Sequence, residues 1–120
     1  MAKKKGNIKT KSITISEKEG TFSTLFHKFK SKAPANSEIA SLRQLLSNEK
    51  ARLIHMIRTK KPDSIYGLAK LVNRDFKAVR QDIKLLEQFG IVELISFHKN
   101  GRELLKPIIE TDKLIVTIEL

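Results

Sequence analysis

The sequence predicts an α+β fold, and three observations carry that reading. Residues 64–89, SIYGLAKLVNRDFKAVRQDIKLLEQF, have the pattern of a short helix, a tight turn and a longer helix. Asn100-Gly101 stands between two apolar runs, the strongest short-range hairpin signal, because a type I′ turn needs positive φ at both central residues. Residues 12–16 (SITIS) alternate polar and apolar as a half-buried strand does, and 114–120 (LIVTIEL) read as a second strand.

The elements follow in chain order. Residues 1–11 (MAKKKGNIKTK) are lysine-rich and show no core-forming pattern, so a flexible basic arm is expected there. A strand follows at 12–16. In TFSTLFHKFKSK, Phe22, Leu25, Phe26 and Phe29 recur at helical spacing with Lys28 and Lys30 beside them, which predicts a basic amphipathic helix. Such a helix packs on the domain or on a second subunit more readily than it lies on a membrane. Ala33-Pro34-Ala35-Asn36 ends it. Residues 38–46 read as a short helix with Ile39, Leu42, Leu45 and Leu46 on its apolar face. Ser47 is placed to cap the next helix, which runs to about Lys60, with Glu49 in its first turn and Leu53, Ile54 and Ile57 buried. Three regions result: an arm at 1–11, an N-terminal strand and helices at 12–46 suited to dimerisation or partner binding, and a domain at 47–120.

That domain holds the informative stretch. Ser64 caps the short helix, whose apolar face is Ile65, Leu68, Ala69 and Val72. Asn73-Arg74 form the turn, Asp75 caps the longer helix, and Gly90 closes it as a left-handed C′ residue. Two helices joined so closely must cross and share a core, which is a helix-turn-helix. On the longer helix Phe76, Val79, Ile83 and Leu86 gather on one side; Lys77, Gln81, Lys84 and Gln88 gather on the other, with Arg80 on a flank. The centre of the polar side has no acidic residue. Asp82 and Glu87 fall nearer the buried side, and Asp75 and Asp82 are better explained by capping and the helix flank than as a catalytic pair. Cations and an amide suit phosphates and base edges. The hairpin that follows carries His98, Lys99, Arg102 and Lys106 around its tip, and Pro107 marks an edge or strand end. A hairpin directly after a helix-turn-helix is a wing. The terminal strand is expected to join either the wing sheet or the strand at 12–16.

Composition sets the outer limits. The 120 residues, 13.7 kDa, suffice for one compact domain. Cysteine is absent, which excludes disulfides, thiolate metal sites and cysteine nucleophiles. The N-terminal segment has no apolar h-region and no run approaches eighteen apolar residues, so neither a secretory signal nor a membrane span is expected, and a cytoplasmic location is. The 24 Lys and Arg exceed the 13 Asp and Glu by 11. Nine Lys against two Glu in residues 1–35 give +7, and fifteen basic against eleven acidic residues in 36–120 give +4. Such a field attracts polyanions. No phosphate loop GxxxxGK, no HExxH and no nucleophile elbow is present, and His27, His55 and His98 are isolated in sequence, so no enzyme, metal or cofactor is expected. His55, between Ile54 and Met56, reads as a partly buried helix residue.

The stretch SLRQLLSNEKARLIHMI, then SIYGLAKLVNRDFKAVRQDIKLLEQFGIVEL, then NGRELLKPIIETDKLIVTIEL resembles a winged-helix, MarR-like family of prokaryotic DNA-binding proteins. The matching positions are Ser64, Leu68, Ala69, Arg74, Asp75, Val79, Asp82, Leu85, Gly90 and Val92, then Asp112 and the 114–120 strand. The resemblance covers about two-thirds of the chain, from about residue 41 onward. It implies DNA binding. Some members look like antitoxins encoded beside a small toxin, including toxins of the TumE type, which would add a toxin protein as a partner. The lysine arm and the Phe-rich segment lie outside the resemblance.

The resulting expectation is a winged helix-turn-helix that binds double-stranded DNA in sequence-specific fashion, as a transcriptional repressor or autoregulator. Lys77, Arg80, Gln81 and Lys84 would meet the major groove, Lys70 and Arg74 would hold phosphates, and Lys99 and Arg102 would act from the wing. A homodimer is expected, because one recognition helix reads few base pairs and paired half-sites multiply specificity; 21–46 or the terminal strand would form its interface. The alternative is an RNA-binding or protein-docking module of the same fold.

Overall fold

The computed structural model describes residues 8–25 and 35–120. It is a mixed α+β structure whose elements run β1 (Thr10–Lys18), β2 (Thr21–Leu25), α1 (Ala35–Leu45), α2 (Asn48–Lys60), α3 (Ile65–Val72), α4 (Phe76–Gln88), β3 (Glu93–Lys99), β4 (Arg102–Ile108) and β5 (Lys113–Glu119). Among the described residues, four helices are accompanied by two small sheets. One has the strand order β2-β1-β5, and the other is the hairpin β3-β4.

The helix ends are set by local chemistry. Ser47 Oγ accepts from the Lys50 amide at 3.2 Å, Ser64 Oγ from the Gly67 amide at 3.0 Å, and Asp75 Oδ2 from the Ala78 amide at 3.2 Å. Each satisfies one of the amides that a helix start leaves without a partner. α3 ends on Asn73 at φ 56°, with the Asn73 amide donating to Lys70 O at 3.2 Å and the Arg74 amide to Ala69 O at 3.1 Å. α4 ends the same way on Gly90 at φ 77°: Gly90 N–H donates to Glu87 O at 2.9 Å and Ile91 N–H to Leu86 O at 2.9 Å. This paired pattern closes a helix through a left-handed residue, which Gly and Asn adopt at least cost.

One core joins the N-terminal and C-terminal regions. Ile13 and Ile15 of β1 and Leu45 of α1 are buried together with Leu53 and Ile57 of α2, Leu68 and Val72 of α3, Val79, Ile83 and Leu86 of α4, and Phe89 and Val92 beyond it. Burial of each such large side chain contributes about 1.5–3 kcal/mol.

β5 pairs with β1, in parallel, with Thr10 opposite Lys113 and Ser16 opposite Glu119. It thus joins the N-terminal strand and not the hairpin. The hairpin pairs Glu93 with Ile108 at its base and Lys99 with Arg102 at its tip. Its turn residues Asn100 and Gly101 have φ of 55° and 76°, as a type I′ turn requires. Pro107 has no amide to donate and sits opposite Leu94 in this two-stranded ribbon, where every strand is an edge.

Four expectations are corrected. Phe22 and Leu25 lie in β2, not in a helix: β2 folds back on β1 through Glu19-Gly20, at φ 52° and 81°, and pairs Thr14 with Leu25. The rest of that predicted helix, Phe26, Lys28, Phe29 and Lys30, lies outside the described residues, as do residues 1–7 of the arm. Thr10 and Lys11 are not part of an arm, because parallel pairing with β5 draws them into β1. Leu46 follows α1 and is exposed. His55 is exposed as well, on the outer side of α2. No described helix is long and apolar enough to cross a membrane.

Candidate functional site

α4 is anchored from one side and open on the other. Val79, Ile83 and Leu86 are fully buried. Lys77, Arg80, Gln81 and Lys84 are exposed. At 3.6 residues per turn those four fall within an arc of about 100°, directly away from the core. Neither Asp82 nor Glu87 enters that arc. The side chains therefore offer three positive charges and one amide over two to three turns. A surface of this kind pairs with phosphate oxygens and can read donor and acceptor patterns.

Phe76 departs from the expected buried stripe, being 42% exposed. It is the first residue of α4, so no helical turn precedes it, and it lies on the flank next to Arg80. Its neighbour is Tyr66 of α3, with ring centroids 6.2 Å apart. Lys70 Nζ lies 5.0 Å from the Tyr66 ring centre, within reach of a cation–π attraction. Sequence reasoning singled out Lys70 but missed Tyr66. The signal was available: Tyr66 and Lys70 are four residues apart on one helix and so share a face.

Arg74 is placed differently from the exposed cations of α4. Its Nη1 donates to Asp82 Oδ2 at 3.0 Å, and Lys50 Nζ approaches Asp82 Oδ1 at 3.3 Å. Asp82 thus ties α2, the α3–α4 turn and α4 together from a partly buried position. Asp75 caps α4. Asp75 therefore serves as the cap that the sequence suggested, and Asp82, expected only on the helix flank, serves as a cross-brace. Lys50 was not anticipated in this role, because its partner is distant along the chain.

At the hairpin tip Lys99 and Arg102 are exposed and face each other across the last strand pair. Lys99 Nζ also lies 3.6 Å from Asp63 Oδ2, a solvent-exposed pair that links the hairpin to the loop before α3. Ser96 Oγ donates to Glu103, which sits opposite His98. The structure thus brings Lys77, Arg80, Gln81 and Lys84 onto one surface, sets Lys70 on α3 beside an aromatic pair, and keeps Lys99 and Arg102 on a separate projection. Arg74 is braced against α4. Among the described residues, no three His, Asp or Glu side chains gather as a metal site.

The model of the family described as HVO_A0114 matches residues 45–116, more than half of the chain. That stretch runs from the end of α1 into β5 and includes α2, α3, α4 and the hairpin. No curated protein matches the chain.

Proposed function

We propose that this chain, which belongs to the family described as HVO_A0114, is a MarR-like winged helix-turn-helix protein that binds double-stranded DNA and regulates transcription. In this reading α3 and α4 form the helix-turn-helix, α4 is the recognition helix and β3-β4 is the wing. The observation that supports it best is the outer arc of α4, where Lys77, Arg80, Gln81 and Lys84 are exposed and no carboxylate intervenes. A solvated helix face ordinarily mixes both signs.

The roles divide by chemistry. Gln81 presents both donor and acceptor, the pattern that pairs with adenine in the major groove. Arg80 and Lys77 suit guanine edges or phosphates, and Lys84 suits the backbone. Lys70 would hold a phosphate from α3. Arg74 would do so only through the N–H groups that Asp82 leaves open. Lys99 and Arg102 would touch phosphates or the minor groove from the wing. The net charge of +11 would speed encounter with any duplex. A homodimer would set two α4 helices against two half-sites, and occupancy of its own promoter would make the protein a repressor of its own gene.

Fluorescence anisotropy at two salt concentrations tests this. The probes are the duplex upstream of the protein's own gene, a scrambled duplex and a structured RNA. Preference for the upstream duplex that survives the higher salt is the expected result. Weak binding to all three, falling steeply with salt, would reduce the surface to a generic polyanion attractor. Preference for the RNA would refute α4 as the reader, because the deep and narrow major groove of an RNA helix does not admit it.

A further inference from the structure

β5 is an edge strand in a sheet of order β2-β1-β5, and its only strand neighbour among the described residues is β1. Among the described residues no strand pairs with its outer edge, and the strand itself lacks the usual protection. It has no proline, and its two charged residues, Lys113 and Glu119, stand at its ends. Between them runs LIVTI. An apolar edge of this length is a template for another strand.

The faces of the strand point the same way. Register pairs Ile13 with Val116 and Ile15 with Ile118, so these four share one face of the sheet. Ile13 and Ile15 are buried, whereas Val116 is 40% and Ile118 57% exposed. The apolar stripe of the core thus continues onto β5, where the described residues leave it exposed. Ile115, on the opposite face, is 46% exposed.

We propose that β5 pairs with β5 of a second copy, antiparallel, about a two-fold axis through Val116. The sequence of the strand chooses the partner. In that register Lys113 of each copy faces Glu119 of the other, Leu114 faces Ile118, Ile115 faces Thr117, and Val116 faces itself. Both charged ends are matched twice in the dimer, and every interior position meets an apolar or β-branched residue, the cross-strand combinations that stabilise antiparallel sheets. A parallel self-pairing in register would instead place Lys113 against Lys113 and Glu119 against Glu119. The antiparallel pairing makes one six-stranded sheet from two three-stranded ones, and its interface is isologous and closed. It rests on β5 alone and holds whether or not the protein binds DNA.

Two measurements on the full-length protein without DNA test the pairing. Light scattering over a concentration series should give twice the chain mass of 13.7 kDa. Lys113→Glu should raise the dimer dissociation constant about tenfold, since two attractive pairs become repulsive, and Lys113→Glu combined with Glu119→Lys should restore the dimer. Circular dichroism checks that each variant is folded. In the second measurement Val116→Cys places a single thiol at the axis of a chain that has no other cysteine. Mild oxidation should link the copies through it, and Arg52→Cys on the outer side of α2 should not link. A monomer throughout would overturn the proposal and leave the edge to a strand of a different protein. A dimer indifferent to the charge changes and not linked through residue 116 would overturn it too.

Discussion

Lys50 of α2 and Asp82 of α4 form an ion pair at 3.3 Å, with side chains only 13% and 16% exposed. Arg74 reaches the same carboxylate at 3.0 Å, so one acidic side chain holds two cations at the junction of three elements. Removing the carboxylate leaves both cations partly desolvated without it. Asp82→Asn is expected to cost about 2 kcal/mol, read as a lower urea midpoint with an unchanged slope. Lys50→Met should cost less, because Asp82 keeps Arg74.

Gln81 and Lys84 separate two kinds of contact. If α4 reads a major groove, Gln81→Ala should cost about 1–3 kcal/mol on the cognate duplex and much less on one changed at the base pair it reads. Lys84→Ala should weaken all duplexes alike and lower the salt slope by about one unit. Anisotropy titrations at several salt concentrations distinguish these outcomes. Equal losses from both variants on every sequence would rule out base reading by this helix.

Gly90 should not tolerate a side chain. Its φ is 77°, and a Cβ there would stand 3.1 Å from Cδ of Lys11. Left-handed backbone costs a residue with a Cβ about 1–2 kcal/mol. Gly90→Ala should therefore lose about that much in chemical denaturation. Lys11 is a flexible side chain and can move aside, so the backbone sets the magnitude. Gly90→Asn should lose less, because Asn tolerates this region.

Phe76 and Phe89 bracket α4 and should respond very differently. Phe89 is fully buried and Phe76 is 42% exposed. Phe89→Ala is expected to cost about 3–5 kcal/mol through the cavity it leaves. Phe76→Ala should cost about 1 kcal/mol, a fraction of a fully buried side chain. Thermal or urea unfolding of the two variants side by side reads the difference.

α2, α3, α4 and the hairpin were legible because their signals are local. Ser47, Ser64 and Asp75 are caps acting three residues ahead, and Asn100-Gly101 dictates its own turn. β2 was not legible, because Phe22, Leu25, Phe26 and Phe29 fit a helical stripe as well as they fit a strand. The decisive feature there is Glu19-Gly20, a two-residue turn whose positive φ values fold Thr21 back onto Lys18. Long-range pairing is equally silent in sequence: nothing near Thr10 or Lys11 announces that β5 will extend the strand. The same limit applies to the candidate site. Periodicity placed Lys77, Arg80, Gln81 and Lys84 on one face, but it could not tell that Arg74 is braced by Asp82 or that Lys99 leans on Asp63. Nor could it tell that Phe76, at the first position of its helix, would remain half open.

The parallel pairing of β1 with β5 imposes an order on folding. Lys9 and Asp112, whose backbone and side chain meet at the start of that pairing, are 103 residues apart in the chain. The helices and the hairpin need only neighbours close in sequence and can form early. Closing so long a loop has a large entropic cost before any contact compensates it. β1 can pair with β2 locally, but its other edge has no β5 to pair with until residues 113–119 have been made.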